Sequence, residues 1–249
     1  MRARFEFIGR IRTISPIGEL MFPAQYRLHS FASVPALCEV AVVELEKIAN
    51  QSIAERGKFH LVLAGGRTPQ AVYAKLSALH TDWHAWHVYF GDERCLPRND
   101  PNRNDTMAFA QWLNASPIPR TQLFPMPAEL GAEQGAQAYC EIVQSLDLFD
   151  LVLLGLGEDG HTASLFPGHH WDNTPVVAVH NSPKPPADRI SLSVERLSAA
   201  RAVWFFVTGA DKIDAMQRWQ RGESIPAALI SSHDGVDIFT DIADAVRSG

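Results

Sequence analysis

One residue separates the Asp159 carboxylate, and two the Glu158 carboxylate, from the His161 imidazole in the run Leu154-Gly155-Leu156-Gly157-Glu158-Asp159-Gly160-His161. An acid at that reach can orient a histidine ring, and imidazole, with an ordinary pKa of about 6.5, can take a proton from water at neutral pH. Either Asp159 or Glu158 could serve as that acid. Three further clusters carry chemistry of another kind. Ala64-Gly65-Gly66-Arg67-Thr68-Pro69 pairs two glycines with a cation, Gly91-Asp92-Glu93-Arg94 puts three charges together, and Gly209-Ala210-Asp211-Lys212 ends on a lysine. Glycines let backbone N–H groups approach an anion, and a helix start adds favourable potential. Proton abstraction beside anion binding is the chemistry these residues suggest. Each cluster also has a plain structural alternative: a turn with a surface histidine, an ordinary capped turn, a solvated loop, or Lys212 paired with Asp211 or Asp214.

The elements around these clusters decide whether they can meet. Leu151 to Leu154 is a short unbroken apolar run that suits a strand covered on both faces, stopped by the glycines after it. Phe59 to Leu63 and His87 to Phe90 are strands that run straight into the Gly65-Gly66 and Gly91 clusters, and Ala202 to Val207 runs into Lys212. Charge thus gathers at one end of several strands, as at the carboxyl edge of an open α/β sheet. Thr68 is predicted to cap a helix that starts at Pro69 and buries Val72, Leu76 and Leu79. A helix carrying Ile213, Met216 and Trp219 places Lys212 in its first turn, where a cation opposes the helix dipole unless an anion arrives.

The remaining elements are scaffold. Leu37, Cys38, Ala41, Val42, Leu45, Ile48 and Ala49 mark one face of a long helix, and Glu133 to Ser145 mark another helix. Arg98 to Asp105 is expected as a surface loop capping a helix with Met107, Phe109 and Trp112, and Gln122 to Met126 as a short strand. Ser182-Pro183-Lys184-Pro185-Pro186 is expected as a rigid extended loop delivering Arg189 ahead of a strand at Ile190 to Ser193. Val236 to Phe239 and Asp241 to Val246 supply a last strand and a short helix. Residues 1–25 show little periodicity and are set apart as an N-terminal extension without assigned function, leaving 26–249 as a single α/β domain.

Several function classes are disfavoured. Gly155 to Gly160 matches G-x-G-x-x-G, but Pro167-Gly168 interrupts any following helix and the next apolar run, Val176 to Val179, ends in His180 instead of an acid, against a dinucleotide site. The Gly65-Gly66 loop lacks the Gly-Lys-Ser/Thr of a Walker loop. A net charge of −6 argues against a nucleic-acid or membrane surface, and Cys38, Cys95 and Cys140 form neither a disulfide framework nor a zinc pattern. No apolar run reaches membrane-spanning length, so a cytoplasmic protein is expected.

Taken in order, Ala64 to Pro69, Gly91 to Arg94, Gly157 to Gly168, Arg189 to Leu192 and Gly209 to Lys212 resemble the 6-phosphogluconolactonase family over roughly residues 30 to 240. The resemblance implies an α/β fold shared with glucosamine-6-phosphate deaminase, ribose-5-phosphate isomerase and the CoA-transferases: a mostly parallel, Rossmann-like sheet with helices on both faces and a small lid-like part. It implies hydrolysis of 6-phosphoglucono-δ-lactone, the second step of the oxidative pentose phosphate pathway, with no metal or organic cofactor. By the same resemblance His161 is the base for water and Arg94 the oxyanion donor; Asp159 or Glu158 would orient the ring, and Asp92 would order the pocket or hold substrate hydroxyls. Gly65, Gly66, Arg67, Thr68, Arg189 and Lys212 would hold the phosphate, and Asn104 matches a loop asparagine of the family. The expected partner is the small phosphosugar lactone, without nucleic acid or membrane, acting on a monomer or weak homo-oligomer. Two positions depart from relatives. Ala64 stands where the phosphate loop often has Ser, and Phe166 stands where the deaminases carry the Glu that ring opening needs, which speaks against deamination. A non-catalytic sugar-phosphate sensor would need a DNA-binding helix-turn-helix, for which the N-terminal residues are too few.

Overall fold

The computed structural model describes residues 26–247; the assignment of residues 1–25 as an extension lies outside them. Seven strands form one sheet in the order β1 (Tyr26–Ser30), β10 (Val236–Thr240), β9 (Ala200–Val207), β6 (Phe149–Gly155), β2 (Phe59–Leu63), β3 (Trp86–Phe90), β5 (Leu123–Phe124). Every neighbouring pair is parallel. β6 is buried from Phe149 to Leu154 and β9 from Val203 to Val207, runs that are almost wholly apolar, as strands covered on both faces must be.

The helices are α1 (Val34–Arg56), α2 (Arg67–Leu76), α3 (Asn104–Ala108), α4 (Ala132–Val143), α5 (Val194–Ser198), α6 (Ile213–Gln220) and α7 (Ala243–Arg247). The steps β1 to β2, β2 to β3 and β3 to β5 move one way along the sheet, whereas β5 to β6, β6 to β9 and β9 to β10 move the other. Right-handed crossovers put connections of opposite direction on opposite faces. Accordingly α1 and α2 pack on each other, and α6 packs on α7. In α1, Ser33 caps the first turn and Gly57, at φ 74°, ends the last, with Leu37, Cys38, Ala41, Leu45 and Ala49 buried as their spacing predicts.

The small part is a three-stranded antiparallel sheet, β4 (Asp92–Arg94), β8 (Arg189–Leu192) and β7 (Val176–Val179). Its register sets Arg94 opposite Arg189. Two buried tyrosines tie down the strand ends beneath the charged clusters. Tyr73 Oη accepts from Ala64 N and donates to Ala64 O, both at 2.9 Å, and Tyr139 Oη accepts from Phe90 N at 2.9 Å.

Some local expectations fail for identifiable reasons. Helix α2 begins two residues early, capped by Gly66 at φ 105°, a conformation open to glycine, and Thr68 Oγ1 spends itself on Thr208 Oγ1 at 2.6 Å instead of capping. The stretch Arg98 to Asp105 is not all surface: Arg103 and Asn104 are buried, because Arg103 pairs with Asp105 at 2.6 Å and Glu129 at 3.1 Å. The following helix leaves α3 through one π turn at Phe109–Leu113. The proline loop is bent, not extended, closed by Ser182 N donating to Ala187 O at 2.9 Å. Lys212 belongs to a 3-10 turn, Ala210–Lys212, and precedes the first turn of α6.

Candidate active site

β2 and β6 are neighbours whose outgoing connections travel in opposite directions along the sheet. At such a switch point the loops part and leave a crevice beyond the carboxyl ends of the strands. Here the chain places its glycines, and a cavity of 430 Å³ opens among the loops after β2, β3, β6 and β9 and the strands β4 and β8. Gly65, Gly66, Arg67, Thr68, Asp92, Arg94, Asn104, His161, Arg189 and Lys212 all border it. Asp159 stands one bond behind, against His161. Lys184, also on the cavity wall, escapes the sequence pattern because a lysine between prolines looks like loop filling.

His161 sits in a turn segment, not a helix, after Gly160 at φ 89°. Its Nδ1 lies 2.5 Å from Asp159 Oδ1, and its backbone N donates to the same oxygen at 3.1 Å. An ionised carboxylate only accepts, so Nδ1 carries the proton and Nε2 keeps its lone pair. Burial pushes the His161 pKa below its ordinary value, and Asp159 pulls it partly back. For Asp159 burial acts upward, but the bonds from His161 prevail and hold its carboxyl below the usual range. The imidazole is therefore neutral near pH 7 with one tautomer selected. Space for the ring comes from Gly157: a Cβ there would stand 1.9 Å from His161 Nδ1. On its other side the ring meets buried Phe166 at 4.6 Å between centroids, and the Arg189 guanidinium lies 5.5 Å from that same phenyl ring.

Opposite is a cradle for an anion. The first turn of α2 leaves its N–H groups without helical partners, beside Gly65 and Gly66. Gly65 is required by packing as well, since a Cβ would come 2.1 Å from Asn104 Oδ1. Arg67 is exposed at the rim. Lys212 Nζ pairs with Asp211 Oδ2 at 2.8 Å, the structural alternative foreseen for it, while still bordering the cavity. Arg189 is partly committed: Nη2 donates to Lys184 O at 2.9 Å and Pro185 O at 3.2 Å, and Nε to Pro186 O at 3.3 Å, which fixes the proline loop.

β4 supplies the rest. Asp92 accepts from Ser164 Oγ at 2.6 Å and Asn104 Nδ2 at 3.0 Å, joining three segments in the cavity wall. Glu93, fully buried, accepts from the backbone N of Arg94, Asn104 and Asp105, each at 2.8 Å, and so splices β4 to the start of α3. Arg94 uses Nη1 on the Asn102 carbonyl, while its buried Nε has no hydrogen-bond partner. Among the described residues no group of three or more His, Cys, Asp or Glu is placed to hold a metal, and no helix is long and apolar enough to cross a membrane.

Residues 32–239 match the family model described as glucosamine-6-phosphate isomerases/6-phosphogluconolactonase. A 6-phosphogluconolactonase of Synechocystis sp. is 37% identical over 194 residues, covering 72% of this chain and 79% of the relative. One from Streptomyces coelicolor is 35% identical over 201 residues, covering 72% and 77%. The crystal structure of the 6-phosphogluconolactonase of Thermotoga maritima superposes with a TM-score of 0.78 at 27% identity, covering 86% of this chain and 98% of that one. A monomeric glucosamine-6-phosphate deaminase shares the fold at a TM-score of 0.75 and 20% identity, covering 88% and 99%. With the match running across the crevice and every loop that builds it, this chain belongs to the glucosamine-6-phosphate isomerase/6-phosphogluconolactonase family.

Proposed function

We propose that this chain hydrolyses 6-phospho-D-glucono-1,5-lactone to 6-phospho-D-gluconate. The observation that carries the reading is a neutral, acid-oriented His161 opening on the same cavity as a glycine cradle and Lys212. The cradle, with Arg67, Arg189 and Lys212, holds the 6-phosphate and so sets the lactone carbonyl near His161. His161 Nε2 takes a proton from water as its oxygen adds to the carbonyl, and Asp159 stabilises the imidazolium that results. Arg94, on the cavity wall, donates to the oxyanion of the tetrahedral intermediate. Ring opening then expels the ring oxygen, which takes the proton held on His161 Nε2 and becomes the C5 hydroxyl, while C1 is left as the carboxylic acid that ionises to 6-phosphogluconate. Asp92 and Asn104 keep the wall in register and face the sugar hydroxyls. No step calls for a metal or an organic cofactor. The lactone is the only partner required: neither nucleic acid nor membrane enters, and a monomer or weak homo-oligomer of one domain, in the cytoplasm, suffices.

The names of the relatives support hydrolysis, and Phe166 supports it over deamination. Phe166 is buried against the His161 ring where an acid would have to reach a sugar. The test is hydrolysis of freshly generated 6-phosphogluconolactone, corrected for the uncatalysed rate, beside ammonia release from glucosamine 6-phosphate. Lactone turnover without ammonia is expected; acceleration of neither reaction would leave the cavity as a binding site only and overturn the reading.

A further inference from the structure

One oxygen of Glu158 is shared by two ammonium groups from different loops. Lys184 Nζ and Lys212 Nζ each lie 3.7 Å from Glu158 Oε1. The acid comes from the loop after β6, Lys212 from the loop after β9, and Lys184 from the proline loop between β7 and β8. At 3.7 Å neither contact is a hydrogen bond, so neither lysine spends a donor on Glu158, although Lys212 Nζ does pair with Asp211 Oδ2 at 2.8 Å. The Glu158 and Lys184 side chains are 57% and 46% exposed, so water screens the pair and holds it weakly. The main chain of Lys184, by contrast, is fixed: its carbonyl accepts from Arg189 Nη2 at 2.9 Å. A tethered backbone with a loosely held cation at the cavity wall is a ligand group waiting for a better anion.

We propose that Lys184 is a second cation for the substrate phosphate, closing on it opposite Lys212, and that Glu158 is an internal anion which the phosphate displaces. This rests on the phosphosugar reading above. Two ammonium groups gathered on one oxygen are at most twice their common distance apart. Charge-assisted bonds of about 2.7–2.9 Å to separate oxygens of one phosphate fit the same span. A phosphate also brings about −1.5 to −2 charges and three acceptor oxygens, where Glu158 brings one charge. Phosphate binding would then join the proline loop to the β9 loop across the mouth of the cavity, and Arg189, which grips the Lys184 carbonyl, links that closure to the Phe166 platform under His161. Lys184 is near enough to the reacting ring for its charge to be one of the influences holding His161 below its ordinary pKa.

The test compares wild type, Lys184→Ala and Glu158→Gln on 6-phosphogluconolactone and on glucono-1,5-lactone, with calorimetric titration by inorganic phosphate and a circular-dichroism check of folding. Lys184→Ala is expected to lose at least tenfold more kcat/KM on the phosphorylated lactone than on the plain one and to weaken phosphate binding. Glu158→Gln is expected to tighten phosphate binding severalfold. An equal loss on both lactones, or unchanged phosphate affinity in Lys184→Ala, would overturn the role of Lys184; weaker phosphate binding in Glu158→Gln would overturn displacement. If wild type accelerates neither lactone, the lactonase reading fails on its own, and the phosphate titrations still decide the clamp.

Discussion

Substituting Gly157 by alanine perturbs the proposed base without replacing it. The added methyl would stand 1.9 Å from His161 Nδ1 and 2.2 Å from Cε1, so the ring has to retreat by about 1.5 Å to reach ordinary contact. The 2.5 Å contact of the ring with Asp159 cannot survive such a shift unchanged. A misplacement of about 1 Å at a reacting group costs on the order of 100-fold, so Gly157→Ala should lower kcat by about 10² to 10³. Stability should change little, because Gly157 lies outside the left-handed region and the obstructing atoms are a side chain rather than a strand. A loss of about 1 kcal/mol, or roughly 2–4 °C in Tm, is expected. Initial rates on fresh lactone, corrected for spontaneous hydrolysis, and a thermal melt measure both. A folded variant within threefold of the wild-type kcat would show that the position of the ring is not what accelerates the reaction.

The depressed pKa of His161 predicts an acid limb in kcat/KM: activity is full where the ring is neutral and falls as pH drops through a value below 6.5. Asp159→Asn removes the group that raises His161, so the limb should move to still lower pH while kcat drops for want of a fixed tautomer; an unmoved limb would refute the pairing. Lys212→Ala should raise KM by about 10- to 100-fold, the worth of a charge-assisted bond, with kcat nearly constant, and an equal fall in kcat would mean that the lysine acts chiefly in the transition state. Tyr73→Phe strips the partner from both the N–H and the carbonyl of Ala64 and should cost about 1–3 kcal/mol in denaturant titration, whereas a cost near zero would mean water replaces the hydroxyl.

How much of this was visible in the residues follows from what kind of force fixes each part. The strands ending at Leu63, Phe90, Gly155 and Val207 were legible, the third to within one residue, because a buried parallel strand is apolar along most of its length and stops where glycine or charge begins. That His161, Asp159 and the Gly65 loop share one crevice was legible as chemistry at the ends of strands, although only the sheet order shows why β2 and β6 leave a gap. Contacts among side chains far apart in sequence left no such trace. The burial of Arg103 depends on Glu93, Asp105 and Glu129 closing around it, and a run of Arg, Asn and Asp looks solvated until those partners are known. Lys184 likewise gains meaning only from Glu158 and Lys212, which reach it through space. Thr68 misleads for a smaller reason: a good capping residue stood beside a glycine whose backbone made the turn first.

The edge strand β1 has a consequence for synthesis of the chain. Among the described residues its sole sheet neighbour is β10, and Arg27 is bound to Asp237 across 210 positions of sequence. On a ribosome adding about 5–20 residues per second, β1 emerges on the order of 10 to 40 s before the strand it pairs with. During that interval its unpaired hydrogen-bonding edge is open to any other nascent strand. Aggregation of unfinished chains should therefore centre on this segment, and stalling translation just short of β10 should yield a product that clumps, whereas the released full-length chain stays in solution.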